Sequence, residues 1–216
     1  MTAESSPDPD SSPDSSLDSS PDSFLDEPVR GFLDQLAART PAPGGGGAAA
    51  VTGAMAAGLV AMAARFSAPR LPGAGELADQ ADELRRRLAQ LAEEDAQAYA
   101  AVLEALRLPR EASQREVQRQ EALLGAALVP LEIAGIGARV ALMAARLAET
   151  GNPNLRGDAV TGAVLAAASA RSAACLVDIN VRLGGLDPGL SRRAAQAAAD
   201  AGDAGDAAGR ASAAGL

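Results

Sequence analysis

The sequence predicts an all-α, single-domain bundle of about six helices, several of them long, around a buried Ala/Gly-rich central helix. Three observations predict it. Apolar residues recur at helical spacing through most of the chain, and no segment alternates apolar and polar residues for long enough to make a strand. Alanine dominates, aromatic residues make up only 2% and Trp is absent, so the core has to come from close approach of backbones, which suits packed helices better than sheets. At 216 residues, 48% of them hydrophobic, the chain is long enough to enclose one substantial core.

Residues 1–23 repeat Ser, Pro and Asp (SSPDPDSSPDSSLDSSPDS over 5–23), a composition too poor in apolar surface to offset the entropy of ordering, and they are expected to be a disordered tail. The helical domain is expected over 24–205. Its first helix takes Asp26 as N-cap and Pro28 in the first turn, sets Val29, Phe32, Leu33 and Leu36 on one face, and ends near Thr40 ahead of Pro41. PAPGGGG (41–47) reads as a loop. AAAVTGAMAAGLVAMAARF (48–66) follows as a helix with almost no polar group, suited either to the centre of a bundle or to a membrane. Its Ala and Gly gain little from entering lipid and no second stretch is equally clean, so a central helix and no membrane partner are expected.

The third helix is expected from about Glu76 to Leu106, stopped by Pro109. The fourth runs from near Glu111 to Glu149, kinked or split by Pro130. Gly151-Asn152-Pro153 breaks the chain before a fifth helix that reaches Leu183 and ends at Gly184-Gly185. The sixth is Ala-rich, and its recurring glycines predict fraying over 206–216.

Composition removes several classes of function. The chain has no histidine and a single cysteine, Cys175, which excludes His-based zinc sites, Ser-His and Cys-His catalysis, and an internal disulfide; no metal is expected. The net charge is −9 and every cation is a scattered arginine, which argues against nucleic acid as a partner. No basic region followed by an apolar run opens the chain, so the expected compartment is the cytoplasm.

Four features can carry chemistry. Asp95 interrupts the stripe Leu77, Leu84, Leu88, Leu91, Asp95, Ala98, Val102, Leu106. A carboxylate in such a seam needs a partner, a raised pKa or both, so it is either ion-paired with an arginine at the seam's edge or able to transfer protons. Gly44, Gly45 and Gly46, with Gly47, precede a helix and allow backbone N–H groups to approach an anionic ligand, or simply permit tight packing. In GNPNLRGD (151–158), Asn152 and Asn154 suit helix capping and Asp158 suits the helix dipole, or all three face a ligand. Asn180 is an amide inside the Leu176–Leu183 stripe and needs a backbone or ligand partner if buried.

The order and spacing of these features resemble the cyclodeaminase/cyclohydrolase family, folate enzymes that include the cyclodeaminase domain of formiminotransferase-cyclodeaminase. The matching stretches are FLDQLAARTPAPGGGGAAAVTGAMAAGLVAMAARF (32–66), EDAQAYAAVLEALRLP (94–109), VPLEIA (129–134), GNPNLRGDAV (151–160) and INVRL (179–183), within roughly residues 26–200. The resemblance implies an all-helical homodimer acting on a tetrahydrofolate derivative, with no tightly bound cofactor. It implies either cyclodeaminase activity, 5-formimidoyltetrahydrofolate to 5,10-methenyltetrahydrofolate and ammonia, or methenyltetrahydrofolate cyclohydrolase activity. Asp95 would match the family's acidic catalytic residue and move a proton between the attacking and departing atoms. The glycine run, Asn152, Asn154, Asp158 and Asn180 would line the folate cleft, and Arg107 would take the glutamate carboxylate. The chain departs from the family's pattern at Gly47, Gly157 and Leu176, where the family carries polar side chains, and at Arg107, where it carries lysine. Those losses point to the alternative, a helical paralogue without turnover that serves as a binding or assembly module.

Overall fold

The computed structural model describes residue 23 and residues 25–109 and 113–214. Their order is α1 (Val29–Ala37), α2 (Gly45–Ser67), α3 (Ala74–Arg107), α4 (Arg115–Thr150), a 3-10 turn (Pro153–Leu155), α5 (Arg156–Gly184) and α6 (Pro188–Ala214), with no strand among the described residues. The all-α bundle read from the sequence is therefore the fold. Apart from Ser23, the Ser/Pro/Asp tail lies outside the described residues, as does Glu111, the expected start of the fourth helix.

Small residues bring the helices together. Twelve residues of α2 are buried, nearly all Ala or Gly, and α2 packs on α3, α4 and α5. At Gly53 a Cβ would lie 2.8 Å from the Ser169 Oγ and 3.1 Å from Leu88, and at Gly137 a Cβ would lie 3.1 Å from the Ala166 carbonyl oxygen, so only hydrogen fits at these two crossings. Leu88, Leu91, Ile133, Leu147, Val60 and Val140 fill what remains.

Several boundaries differ from expectation. Asp26 does not cap α1: the N-cap position is Pro28, no side chain accepts a capping hydrogen bond, and the helix stops at Ala37 rather than Thr40. Only Phe32 of the expected α1 face is buried; Val29 and Leu33 are exposed. The glycine run is not a loop, because Gly45, Gly46 and Gly47 form the first turn of α2 behind an extended Gly44. Intrinsic propensity disfavours glycine there, and packing overrides it. Pro130 neither splits nor ends α4, which runs through it with the ring buried. The expected C-terminal fraying is absent through Ala214, because Ala201, Ala204 and Ala208 are buried in the core that α6 shares with α4 and α5.

One face is left apolar and open. Ala48, Thr52, Met55, Leu59, Met62 and Phe66 recur at alternating four- and three-residue steps along the side of α2 turned away from the core, each partly or largely exposed. The Thr52 hydroxyl donates to the Ala48 carbonyl at 2.8 Å, so its polar atom is satisfied within the helix. Beside this seam, α5 exposes Asp158, Thr161, Leu165, Ala168, Ser172, Cys175 and Ile179 to differing degrees. Three helical segments, Gly45–Ser67, Arg115–Thr150 and Pro153–Gly184, are long and apolar enough to cross a membrane, although about half of each apolar window is buried within the bundle.

Candidate active site

Three helices converge on the start of α2 because their small residues let them. Around it, α3, α4 and α5 leave a cleft of about 470 Å³, lined by Gly44, Gly45, Gly46, Asp95, Tyr99 and Asn180 among leucines, isoleucine and alanines. Asp95 is half-buried in its wall. No arginine pairs with it among the described residues; instead the Gly47 N–H donates to Oδ2 at 3.1 Å. A Cβ on Gly46 would sit 1.9 Å from Oδ1, so the carboxylate rests directly on the glycine turn. The tetraglycine thus has a specific job here, to let a side chain from α3 reach the end of α2.

The electrostatics of Asp95 follow from that seat. Burial pushes its carboxyl above the ordinary value of 3.8, and the Gly47 N–H opposes the rise only in part. The N–H groups of Gly45 and Gly46 have no partner among the described residues and, with the dipole of α2, make this end of the helix attractive to negative charge. No cation lines the cleft among the described residues. The arrangement is a carboxyl of raised pKa, unpaired among the described residues, in a largely apolar cleft.

Asn180 lines the cleft, but its amide group is committed elsewhere. Pro130 has no N–H to give to the carbonyl four residues earlier, that of Ala126, and the Asn180 Nδ2 donates to that oxygen at 2.7 Å. The amide oxygen remains without a partner among the described residues. Arg107 sits in a side chamber of about 210 Å³ with Glu104, separated from the main cleft by Tyr99, Leu103, Pro41 and Ala42, which line both.

Asn152, Asn154 and Asp158 are not at this cleft. The Asn152 side chain accepts from the Asn154 N–H at 3.1 Å, its Nδ2 donates to the Phe66 carbonyl at 3.2 Å, and its backbone N–H donates to the Ser67 Oγ at 2.8 Å. The 3-10 turn is therefore tied to the C-terminal end of α2, whereas Asp95 meets the N-terminal end. With a rise of 1.5 Å per residue those ends lie roughly 33 Å apart. Asp158 stands in the first turn of α5.

Sequence reasoning missed Tyr99 and the wall formed by Leu176, Ile179 and Leu183. The signal for Tyr99 is its place one turn after Asp95 on the same face of α3. Of the departures from the family's pattern, only Leu176 touches the cleft, close to Gly45; Gly157 has open space around it, and Gly47 serves through its backbone N–H. A larger groove of about 760 Å³ between α3, α4 and α6 is charged, with Arg87 bridging Glu94 and Glu132, and its one unpaired acid, Glu83, is exposed. No cluster of three potential metal ligands occurs among the described residues.

Comparison with known proteins converges on one group. The model of the formiminotransferase-cyclodeaminase family matches residues 28–198. The chain is 37% identical over 169 residues to a methenyltetrahydrofolate cyclohydrolase of Methylorubrum extorquens, a match that covers 74% of this chain and 80% of that protein. It is 33% identical over 159 residues to the formimidoyltransferase-cyclodeaminase of Mus musculus, covering 67% of this chain but only 27% of the mouse protein. The crystal structure of formiminotetrahydrofolate cyclodeaminase from Thermotoga maritima superposes with a TM-score of 0.79 at 26% identity, covering 88% of this chain and 97% of that one.

Proposed function

Because the chain belongs to the formiminotransferase-cyclodeaminase family, we propose that it is a tetrahydrofolate one-carbon enzyme that hydrolyses 5,10-methenyltetrahydrofolate to 10-formyltetrahydrofolate, with Asp95 as the proton-transfer group. One observation carries the reading: an unpaired carboxyl in an apolar cleft that no cation lines among the described residues. The methenyl substrate is a flat amidinium cation, and such a cleft offers it a counter-charge and little else. Similarity to the cyclohydrolase over most of that relative's length supports the direction of the reaction.

The chemistry follows from the carboxylate's two states. Ionised, Asp95 takes a proton from the water whose oxygen bonds to the methenyl carbon; the tetrahedral carbinolamine then forms. Protonated, it returns that proton to N5 as the C–N5 bond breaks, and the second water proton leaves to solvent. The raised pKa brings the protonated state nearer in energy to the ionised one, which favours the return of the proton. The free N–H groups of Gly45 and Gly46 favour partial negative charge on the carbinol oxygen. Folate enters as substrate, so no tightly bound cofactor is required.

A second reading, cyclodeaminase, is favoured by the fold match to the Thermotoga enzyme. There N10 attacks the formimidoyl carbon of 5-formimidoyltetrahydrofolate in its protonated, amidinium form, and Asp95 carries the N10 proton to the resulting NH2 group, which leaves as ammonia to give the methenyl cation. Following the absorbance of the methenyl species separates the two. Accelerated loss of methenyltetrahydrofolate supports the cyclohydrolase; appearance of the species from 5-formimidoyltetrahydrofolate supports the cyclodeaminase. Silence in both from folded protein refutes both, leaving the binding or assembly module.

We further propose that the chain works as a homodimer without membrane partner, using the α2 seam. Its alternating four- and three-residue spacing is that of a helix that buries against another helix. Met55 and Phe66 are each more than half exposed in the protomer. A second copy is the occupant proposed for this face, because a seam that is apolar along the length of one helix is self-complementary.

A further inference from the structure

We infer that Pro130 sets the polarity of the cleft through Asn180: it holds the Asn180 amide with its nitrogen turned to α4, so that the amide oxygen is left for the substrate and accepts an N–H of the reduced pterin ring. Asn180 is then a binding residue and Pro130 a positioning residue. This rests on the folate reading above.

The device begins with a gap in α4. A helix closes each carbonyl with the N–H four residues on, and at residue 130 that N–H is absent, so the Ala126 carbonyl has no donor from its own helix. Pro130 is fully buried, and the neighbouring Ala127 packs with Val177 and Val181, which flank Asn180 on α5. This packing sets Asn180 against the same stretch of α4, and its Nδ2 donates to the Ala126 oxygen at 2.7 Å. A carbonyl oxygen accepts and cannot donate, so only the NH2 end of the amide fits the contact. Turned over, the amide would set Oδ1 against the Ala126 oxygen and leave two acceptors facing each other. With any other residue at 130 the helix could supply its own N–H, and the amide would be at liberty to present either end.

The consequence is chemical. Asn180 lines the same cleft as Asp95, and its Oδ1 has no partner among the described residues. The glycine turn brings N–H donors to this cleft, and Asn180 brings an acceptor. Asp95 acts on the carbon bonded to N5, so the ring that carries N5 is the part of the substrate that shares the cleft with Asn180. That ring has N–H donors at N3, at N8 and on the 2-amino group. A site that holds an acceptor in place rewards a ring that brings one of these N–H groups to it and rejects a ring that brings an oxygen there, since the two acceptors would then stay unpaired. The negative end of the fixed amide dipole also favours the cationic methenyl substrate over a neutral one.

Kinetics and denaturant unfolding of wild type, Asn180→Ala, Pro130→Ala and the double variant test this. Wild type is assayed first, on methenyltetrahydrofolate and on 5-formimidoyltetrahydrofolate; silence in both overturns the folate reading and the ligand named here with it. Given turnover, the double variant separates binding from stability. There α4 closes the Ala126 carbonyl with its own N–H, so the protein should unfold near the wild-type midpoint, yet KM is expected to rise at least about tenfold with kcat within a few-fold. Pro130→Ala alone keeps the amide and releases it, and KM is expected to rise about two- to fivefold with the unfolding midpoint unchanged or higher. An Asn180 that only satisfies Ala126 predicts wild-type KM in the double variant, and that result overturns the inference, as does wild-type KM in Pro130→Ala. A second measurement needs no substrate. The side-chain amide protons of Asn180, identified in the NMR spectrum by their loss in Asn180→Ala, should exchange with solvent more slowly in wild type than in Pro130→Ala. Equal exchange in the two proteins overturns the imposed orientation.

Discussion

In the proposed mechanism the working form of Asp95 is the one the fold disfavours. Burial raises its pKa, so the ionised state costs more in the native protein than in the unfolded chain. The stabilising contribution of Asp95 is fully present below its unfolded pKa and is lost as pH rises through the raised folded value. At neutral pH, therefore, Asp95→Asn should melt at the same temperature as wild type or higher, with the gap closing in acid; a large drop in Tm would reveal a structural ion pair that the protein does not have. As a general base, the same group predicts that kcat/KM falls as pH is lowered through the raised pKa, and Asp95→Asn abolishes that limb. The acid was legible in the sequence because it breaks an apolar stripe. Its seat was not, since nothing in the spacing says that Gly46 and Gly47 would be the residues beneath it.

Elements place that residue, and two of them make sharp predictions. In α2, Gly46→Ala puts a Cβ 1.9 Å from the Asp95 carboxylate and must displace it, whereas Gly47→Ala meets nothing nearer than 3.5 Å and keeps its N–H. Steady-state kinetics should show Gly46→Ala losing most of its activity and Gly47→Ala retaining most; equal loss in both would detach Asp95 from the glycine turn. In α4 and α5, Asn180 serves the carbonyl that Pro130 leaves without a helical donor. Asn180→Ala should cost about 1–3 kcal/mol in denaturant unfolding. Its cost should shrink in a Pro130→Ala background, where the helix supplies its own N–H to Ala126, and equal costs in both backgrounds would contradict the pairing. Periodicity made most helices readable in advance. The misses have physical causes: α1 has no capping side chain, α2 begins on glycines that propensity disfavours, and α6 is held by alanines whose burial depends on α4 and α5.

For the whole molecule, the sequence motifs separate into two ends of one long helix, with the open α2 seam running between them. Met55 is exposed in the protomer, so Met55→Glu should leave the fold intact. On the proposed homodimer, sedimentation should find it monomeric; a Met55→Glu protein that still sediments as a dimer would remove the α2 seam from the account. That separation was hidden in the sequence, because a motif's position along the chain does not reveal which end of a 23-residue helix it joins. The most direct test of the central claim is hydrolysis of 5,10-methenyltetrahydrofolate by wild type and Asp95→Asn side by side at saturating substrate. Wild type should accelerate loss of the methenyl species, and the variant, equally folded, should lose on the order of 10²–10⁴-fold in rate. Turnover by Asp95→Asn within a few-fold of wild type would contradict the role assigned to this carboxyl.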